Sequence, residues 1–243
     1  MITYFIPVYN EANKNLSEFL KILKKKIITS KNKKFIIVDD GSTDETANVI
    51  NNFLKNISTE NLKKITFLKN KKNKGIGFSF KRAIKICNTK YICPIPSDND
   101  LPFLDEKIIE KKGLDFIIYY PINSEKYTNA RYFLSMMFRI IFCVIFNLRV
   151  NYIQGSFIAK TKIVKKIKLY SNRFTFWPEL NVKMLNLNLK FTEIPIFFKN
   201  KSTIDRTVSL KNFFEIFKSL IWLIIEIHFI KKKIFKNKSY KVY

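Results

Sequence analysis

The sequence predicts an α/β protein, a mostly parallel sheet flanked by helices. Three observations carry that expectation. Across residues 2–120, short runs of β-branched and aromatic residues alternate with Lys-rich stretches whose apolar residues recur at helical spacing. The composition is that of a globular chain, with 47% hydrophobic and 26% charged residues over 243 positions. That excludes a disordered or collagen-like chain and supplies apolar surface for a core. Acidic clusters directly follow three of the apolar runs, where open α/β sheets hold their ligands.

The elements follow in order. Ile2–Val8 reads as a buried strand and runs into Pro7-Val8-Tyr9-Asn10-Glu11. Leu16, Phe19, Leu20 and Leu23 mark the next helix by their spacing. Phe35–Val38 is the second strand, followed by Asp39-Asp40-Gly41-Ser42-Thr43-Asp44 and a helix carrying Ala47, Ile50, Phe53 and Leu54. Ile65–Leu68 is the third strand, and Asn73-Lys74-Gly75-Ile76-Gly77 leads into a helix through Phe80, Ala83 and Ile84. Tyr91–Ile95 is the fourth, running into Pro96-Ser97-Asp98-Asn99-Asp100, and Phe116–Tyr120 is the fifth. Apolar strands separated by helical stretches fit a parallel sheet buried on both faces.

The second half carries two apolar helices with narrow polar stripes. In Tyr132–Leu148 the stripe is Ser135, Arg139, Cys143 and Asn147; in Phe213–Ile230 it is Glu215, Lys218, Ser219, Trp222 and Glu226. A wide apolar face fits either a core helix or a helix lying in a membrane interface. The first is expected in the core, because it sits between sheet elements. The second holds Trp222 and precedes Lys231-Lys232-Lys233, so both readings stay open for it.

The charge needs a cause. There are 45 basic against 19 acidic residues, a net +26, yet the basic residues are 39 Lys and six Arg. Nucleic-acid readers favour the Arg fork, so nucleic acid is not the expected partner. With only five Ala and five Gly, the chain carries a broad compositional bias. The charge still favours phosphates and acidic membrane surfaces. Cys87, Cys93 and Cys143 give neither a disulfide framework nor a zinc spacing and are expected as buried thiols in a reducing compartment. No secretory leader and no uncharged apolar run of about 18 residues is present, so the expected location is cytoplasmic, on the cytoplasmic face of a membrane.

Asp98-x-Asp100 is the sharpest chemical feature. Carboxylates two positions apart on an extended backbone point to one side, and an oxygen-only pair suits Mg²⁺ or Mn²⁺ with phosphate and water completing the shell. An Asx turn before Pro102 is the other reading. Ser42 or Thr43 could N-cap the helix beginning near Asp44, while one of Asp39 and Asp40 accepts hydrogen bonds from a base edge or ribose. The Gly75/Gly77 loop either cradles phosphate or simply opens a helix.

Taken together these residues resemble family 2 glycosyltransferases with the GT-A fold. Pro7-Val8-Tyr9-Asn10-Glu11, Val38 through Asp44, Asn73-x-Gly75-x-Gly77 and Asp98-x-Asp100 carry the resemblance. Glu179-Leu180 and Glu193-Ile194-Pro195-Ile196 are similar to the branch that transfers sugars to polyprenyl phosphates, the dolichol-phosphate mannosyltransferase type. The resemblance covers residues 2–210 and implies a GT-A domain over 1–208. Residues 209–243, outside most of it, read from their own pattern as an amphipathic, Lys-rich helix and tail that fits a membrane interface. The resemblance also implies that Pro7, Tyr9 and Glu11 contact the nucleotide, that Val38 and Asp40 continue that pocket, and that Asp98 and Asp100 hold a divalent metal and the sugar diphosphate. Arg131 matches a phosphate-binding residue, with Lys201 and Arg206 as further positive charge. The chain departs from the pattern at Pro102, where relatives carry Gln, at Asn151, where many carry Asp, and over Lys199–Thr207, where an Arg-x-x-Gly-x-Ser-Lys segment is degraded.

The implied reaction is inverting transfer from a nucleoside-diphosphate sugar to a polyprenyl-phosphate acceptor. A phosphate is already ionised and needs no base, which suits a chain whose one histidine, His228, lies far down the last helix. A saccharide hydroxyl acceptor would need a base, for which Glu179 is the candidate. A non-catalytic protein binding nucleotide sugars or nucleic acid is the remaining alternative.

Overall fold

The computed structural model describes residues 1–13, 15–97, 102–103, 106–123, 129–173, 175–197, 210–235 and 237–243, without the side chains of 130, 131 and 210–213. Along the chain run β1 (Ile2–Val8), α1 (Leu16–Thr29), β2 (Lys33–Asp39), α2 (Thr46–Lys55), α3 (Thr59–Leu62), β3 (Ile65–Lys69), α4 (Ile76–Ile86), β4 (Tyr91–Pro94) and α5 (Lys107–Lys111). They are followed by β5 (Phe116–Pro121), α6 (Asn129–Ile145), β6 (Phe157–Lys160), α7 (Thr161–Lys166), α8 (Phe176–Leu185), β7 (Lys190–Ile196), α9 (Leu210–Ile224) and β8 (Tyr240–Lys241). The five expected strands are all present. The chain divides into one unit of Met1–Glu106 with Ile158–Lys166 and a second of Lys107–Phe157 with Ile167–Tyr243.

In the first unit the strands lie in the order β3-β2-β1-β4-β6. All pair in parallel except β4 with β6, which are antiparallel at Tyr91↔Lys160 and Ile92↔Ala159. Leu16, Phe19, Leu20, Leu23 and Ile27 bury one face of α1, the spacing of an amphipathic helix. Tyr4 and Phe35 stack with centroids 5.6 Å apart, and Phe5 meets Phe80 edge-on at 5.3 Å. Burying such rings on both faces of β1 and β2 fixes their register, because a one-residue slip would carry every ring to the opposite face, where its partners are not. The parallel register Pro7↔Val38 and Val8↔Asp39 then brings the loops after β1 and β2 side by side.

In the second unit β5, β7 and β8 pair in parallel, and Phe116 stacks on Phe191 at 5.1 Å. Every residue of α8 except Trp177 is buried, as a helix surrounded by core must be. Lys183 on α8 has no exposed surface, and its Nζ lies 2.6 Å from Glu179 Oε1, 2.7 Å from Glu226 Oε2 and 2.7 Å from the carbonyl of Lys168. Glu226 also pairs with Lys231 at 2.5 Å. It sits on a π-helical stretch, Ile225–Ile230, that continues α9.

Two expectations about helices are corrected here. Tyr132–Leu148 was expected as a core helix, but Phe142 alone among the described side chains of α6 is buried. Its stripe residue Arg139 donates to the Asn151 carbonyl at 3.1 Å, so the polar side is the one that meets the protein. Ser42 and Thr43 do not cap α2; the helix opens at Thr46, whose N–H is received by Asp44 Oδ1 at 3.0 Å. Among the described residues no helix is long and apolar enough to cross a membrane. All three cysteines are free, with Cys87 and Cys93 buried, and burial pushes the Cys93 thiol far up. The expected boundary at 208/209 lies outside the described residues.

Candidate functional site

The carboxyl ends of β1 and β2 in the first unit are joined by a dense set of hydrogen bonds. Asn10 adopts φ +52°, a left-handed turn that asparagine tolerates. Its N–H donates to Ser42 Oγ at 3.1 Å, and its Oδ1 accepts from the Thr43 N–H at 2.9 Å. The N–H of Glu11 donates to Thr46 Oγ1 at 2.9 Å, and that of Ala12 to Thr46 Oγ1 at 3.0 Å and to Asp44 Oδ2 at 3.3 Å. Burial alone would raise the Asp44 carboxyl, but hydrogen bonds from Thr46 and Ala12 outweigh it and hold the group below its ordinary value. Gly41, at φ +73°, lets the loop pass the backbone of the next one: a Cβ there would stand 2.4 Å from the Lys72 carbonyl carbon.

Two adjacent aspartates have different surroundings. Asp40 is buried, and its Oδ1 accepts from Asn70 Nδ2 at 2.6 Å, Ser79 Oγ at 3.1 Å and the Lys74 N–H at 3.2 Å. Its Oδ2 accepts from the Gly75 N–H at 2.7 Å. Arg82 donates to Asn70 Oδ1 and to the Lys69 carbonyl, which orients the amide toward Asp40. The carboxylate thus acts as an internal anion at the N-terminus of α4, where helix N–H groups and dipole favour negative charge. The Lys74 and Gly75 amides are thereby spent, so this loop opens a helix instead of cradling phosphate through those groups. Asp39 is also wholly buried, with Oδ1 accepting from the Ser42 N–H at 2.8 Å. Its Oδ2 has no hydrogen-bond partner among the described residues.

Of the residues expected to bind nucleotide, Tyr9 is exposed, Pro7 and Glu11 are half-buried, and Val38 is enclosed in the sheet opposite Pro7. Asp98 and Asp100 lie outside the described residues, as do Lys201 and Arg206; Ser97 is the last described residue before the pair. Arg131 lies in the first turn of α6, its side chain not described. Glu179, in the second unit, is buried with both oxygens engaged. Oε1 accepts from the Tyr170 N–H at 2.9 Å and from Lys183, and Oε2 accepts from the Ser171 N–H at 2.8 Å. Glu193 receives the Asn151 N–H at 2.6 Å and Lys241 Nζ at 2.7 Å, tying β7 to a loop and to the chain end. No group of three or more His, Cys, Asp or Glu residues able to hold a metal occurs among the described residues.

Asn70, Ser79 and Arg82 escaped the sequence reading. Ser79 gave a signal: it falls on the buried face of α4 beside Phe80 and Ala83, and a polar group there needs a buried partner.

A family model described as glycosyl transferase family 2 matches residues 3–167. Dolichyl-phosphate beta-glucosyltransferase of Dictyostelium discoideum is 31% identical over 116 residues, 45% of this chain and 34% of that protein. The chain therefore spans about a third of that curated relative's length. Among solved structures, S. aureus TarS 1–349 in complex with UDP-GlcNAc is 18% identical with a TM-score of 0.60, covering 92% of this chain and 66% of that one. Glucosyl-3-phosphoglycerate synthase from Mycobacterium tuberculosis in complex with Mg²⁺ and UDP is 13% identical with a TM-score of 0.64, covering 93% and 78%. At these identities the likeness shows the fold.

Proposed function

The chain belongs to glycosyl transferase family 2 and has the GT-A fold, and from that premise we propose that it transfers a sugar from a nucleoside diphosphate to a polyprenyl phosphate. The donor half of the reading rests on the loops after β1 and β2. Asp39 Oδ2 is the carboxylate oxygen left without a partner there, so it is favoured over Asp40 as the acceptor for a base or ribose donor. Tyr9 supplies an exposed ring one residue past Val8, the register partner of Asp39, and the fixed loop reduces the ordering that binding would otherwise cost. Asp98 and Asp100 offer oxygen donors only, which fits Mg²⁺ or Mn²⁺; when bound, such an ion offsets charge on the diphosphate leaving group.

The single observation that carries the acceptor is the state of Glu179. A base needs a free lone pair within reach of the acceptor proton. Here the carboxylate is buried, with Oε1 accepting from the Tyr170 N–H and Lys183 and Oε2 from the Ser171 N–H, so it serves the fold and little of it is presented to an acceptor proton, which supports an acceptor that arrives already ionised. The phosphate oxygen attacks the anomeric carbon from the side opposite the leaving group. The bond from that carbon to the diphosphate breaks, the nucleoside diphosphate departs with the electron pair, and no proton moves. Arg131, Lys201 and Arg206 are the cations proposed to meet the phosphates. The name of the Dictyostelium relative supports the same acceptor class.

The test offers the full chain labelled UDP- and GDP-sugars, Mn²⁺, and either polyprenyl phosphate or the unphosphorylated alcohol. Label is expected in the organic-extractable lipid only with the phosphate, and Asp98→Ala or Asp100→Ala is expected to abolish it while the circular dichroism spectrum stays unchanged. Label on the alcohol or on a saccharide instead would restore Glu179 as the base and overturn the phosphate reading.

A further inference from the structure

The second unit turns its C-terminal helix the opposite way from a core helix. Ser219 on α9 shares a hydrogen bond of 2.8 Å with Thr175, Trp222 meets the Tyr170 ring edge-on at 5.2 Å, and Glu226 reaches the buried Lys183. With Ser219, Trp222 and Glu226 of the stripe thus engaged on the inner side, Phe217, Ile221, Ile225 and Phe229 project outward, Phe217 55% and Phe229 74% exposed. They recur at steps of four, so they form one face of the helix and its π-helical continuation. On α6, Phe133, Met137, Ile140 and Val144, four, three and four residues apart, share one face in the same way and are likewise exposed. The ring of Phe146, one residue past α6, stacks on His228 at 5.8 Å, so the far ends of the two helices meet. Exposed apolar faces of this extent, built on elements whose polar sides are paired within the protein, call for a covering partner.

We infer that this double face is the surface by which the protein lies on an anionic lipid bilayer. Charge selects that occupant. Residues 210–235 carry Lys211, Lys218, Lys231, Lys232 and Lys233 against Glu215 and Glu226, and Glu226 is turned inward. Residues 129–145 contain no acidic residue. A second copy would bring another +26 chain and another lysine row against the first, whereas acidic headgroups neutralise it. No described helix is long and apolar enough to cross the bilayer, and the inference lays the helices in the interface plane. The inference rests on and deepens the lipid-acceptor reading, since it puts the protein on the surface where a polyprenyl phosphate resides, and it is tested separately from transfer.

The experiment sediments the full chain with vesicles of phosphatidylcholine alone or with about one-third phosphatidylglycerol. Wild type is expected to co-sediment with the anionic vesicles and not the neutral ones, with Trp fluorescence quenched by brominated lipid. The double variant Phe217→Glu/Phe229→Glu is expected to bind at least about tenfold more weakly, and Ile28→Glu on exposed α1 surface to bind as wild type. Both sites face outward, so unchanged thermal unfolding is expected in each variant. Wild type that ignores anionic vesicles, or binds both kinds equally, overturns the inference. So does a double variant that binds like wild type, or one that instead converts a dimer to a monomer by light scattering. In the double variant, loss of sedimentation with retained transfer to detergent-dispersed polyprenyl phosphate supports both readings, and docking of wild type without any transfer would remove only the acceptor reading.

Discussion

Asp40 shows how a residue in a binding motif can serve the fold. Its four hydrogen bonds come from Asn70, Ser79, Lys74 and Gly75, all on the segment that starts α4. Replacing it by Ala strands several buried donors at once, and each unsatisfied buried group costs about 1–3 kcal/mol. Asp40→Ala is therefore expected to lower the urea unfolding free energy by roughly 2–4 kcal/mol, whatever nucleotide binding does. An unchanged midpoint would show that the network is not holding α4. Lys183 makes a parallel case in the second unit. Lys183→Met leaves Glu179 and Glu226 buried without their shared cation, a loss of about 3–5 kcal/mol. Neutralising the partners as well, in Glu179→Gln/Lys183→Met/Glu226→Gln, is expected to recover most of that in thermal unfolding, because the uncompensated charge and not the missing pair carries the cost.

At the scale of elements, the first half was legible because β1, β2 and β4 are buried on both faces, the edge strand β3 is still an apolar run, and the helices are buried on one face. Apolar runs and helical spacing then translate directly into β1 through β4 and α1, α2 and α4. The acidic loops were legible for the same reason, since a parallel sheet places strand ends together. The rest fails on length and on direction. β6 has four residues and β8 two, too few to show alternation. The stripes on α6 and α9 were visible, but periodicity does not say which side faces the protein; that depends on partners such as Thr175 and Lys183, distant in sequence. The division of labour between Asp39 and Asp40 was hidden likewise, because Asn70 and Arg82 come from another loop and helix. The short β8 also carries a pH dependence. Burial would lower the Lys241 ammonium, but its hydrogen bond and charge contact with Glu193 raise it above the ordinary 10.5. A folded value above the unfolded one means the contribution is complete below about pH 10.5 and fades as pH rises through the higher folded value. The protection of the Tyr240–Val242 amides, taken relative to their base-catalysed intrinsic exchange, is expected to fall in that alkaline window in wild type and already at neutral pH in Lys241→Met; equal protection in both proteins at neutral pH would count against the tie.

For the whole molecule the question is whether +26 acts on the donor or merely reflects a lysine-rich composition. A distributed field attracts a diphosphate from beyond contact distance and is screened over about 8–10 Å at physiological salt. Local contacts at the strand ends, by contrast, are short and little affected. If the field contributes, the Kd of a nucleoside diphosphate measured by titration calorimetry should rise roughly three- to tenfold between about 0.05 M and 0.5 M salt. The change should follow ionic strength and not the identity of the salt, and Asp39→Asn should shift the curve without altering its slope. Nearly flat affinity across that range would assign the lysines to composition and leave donor recognition to the loops after β1 and β2. Such a result would also sharpen the bilayer argument, because the charge that matters there is the local row beside α9, not the total.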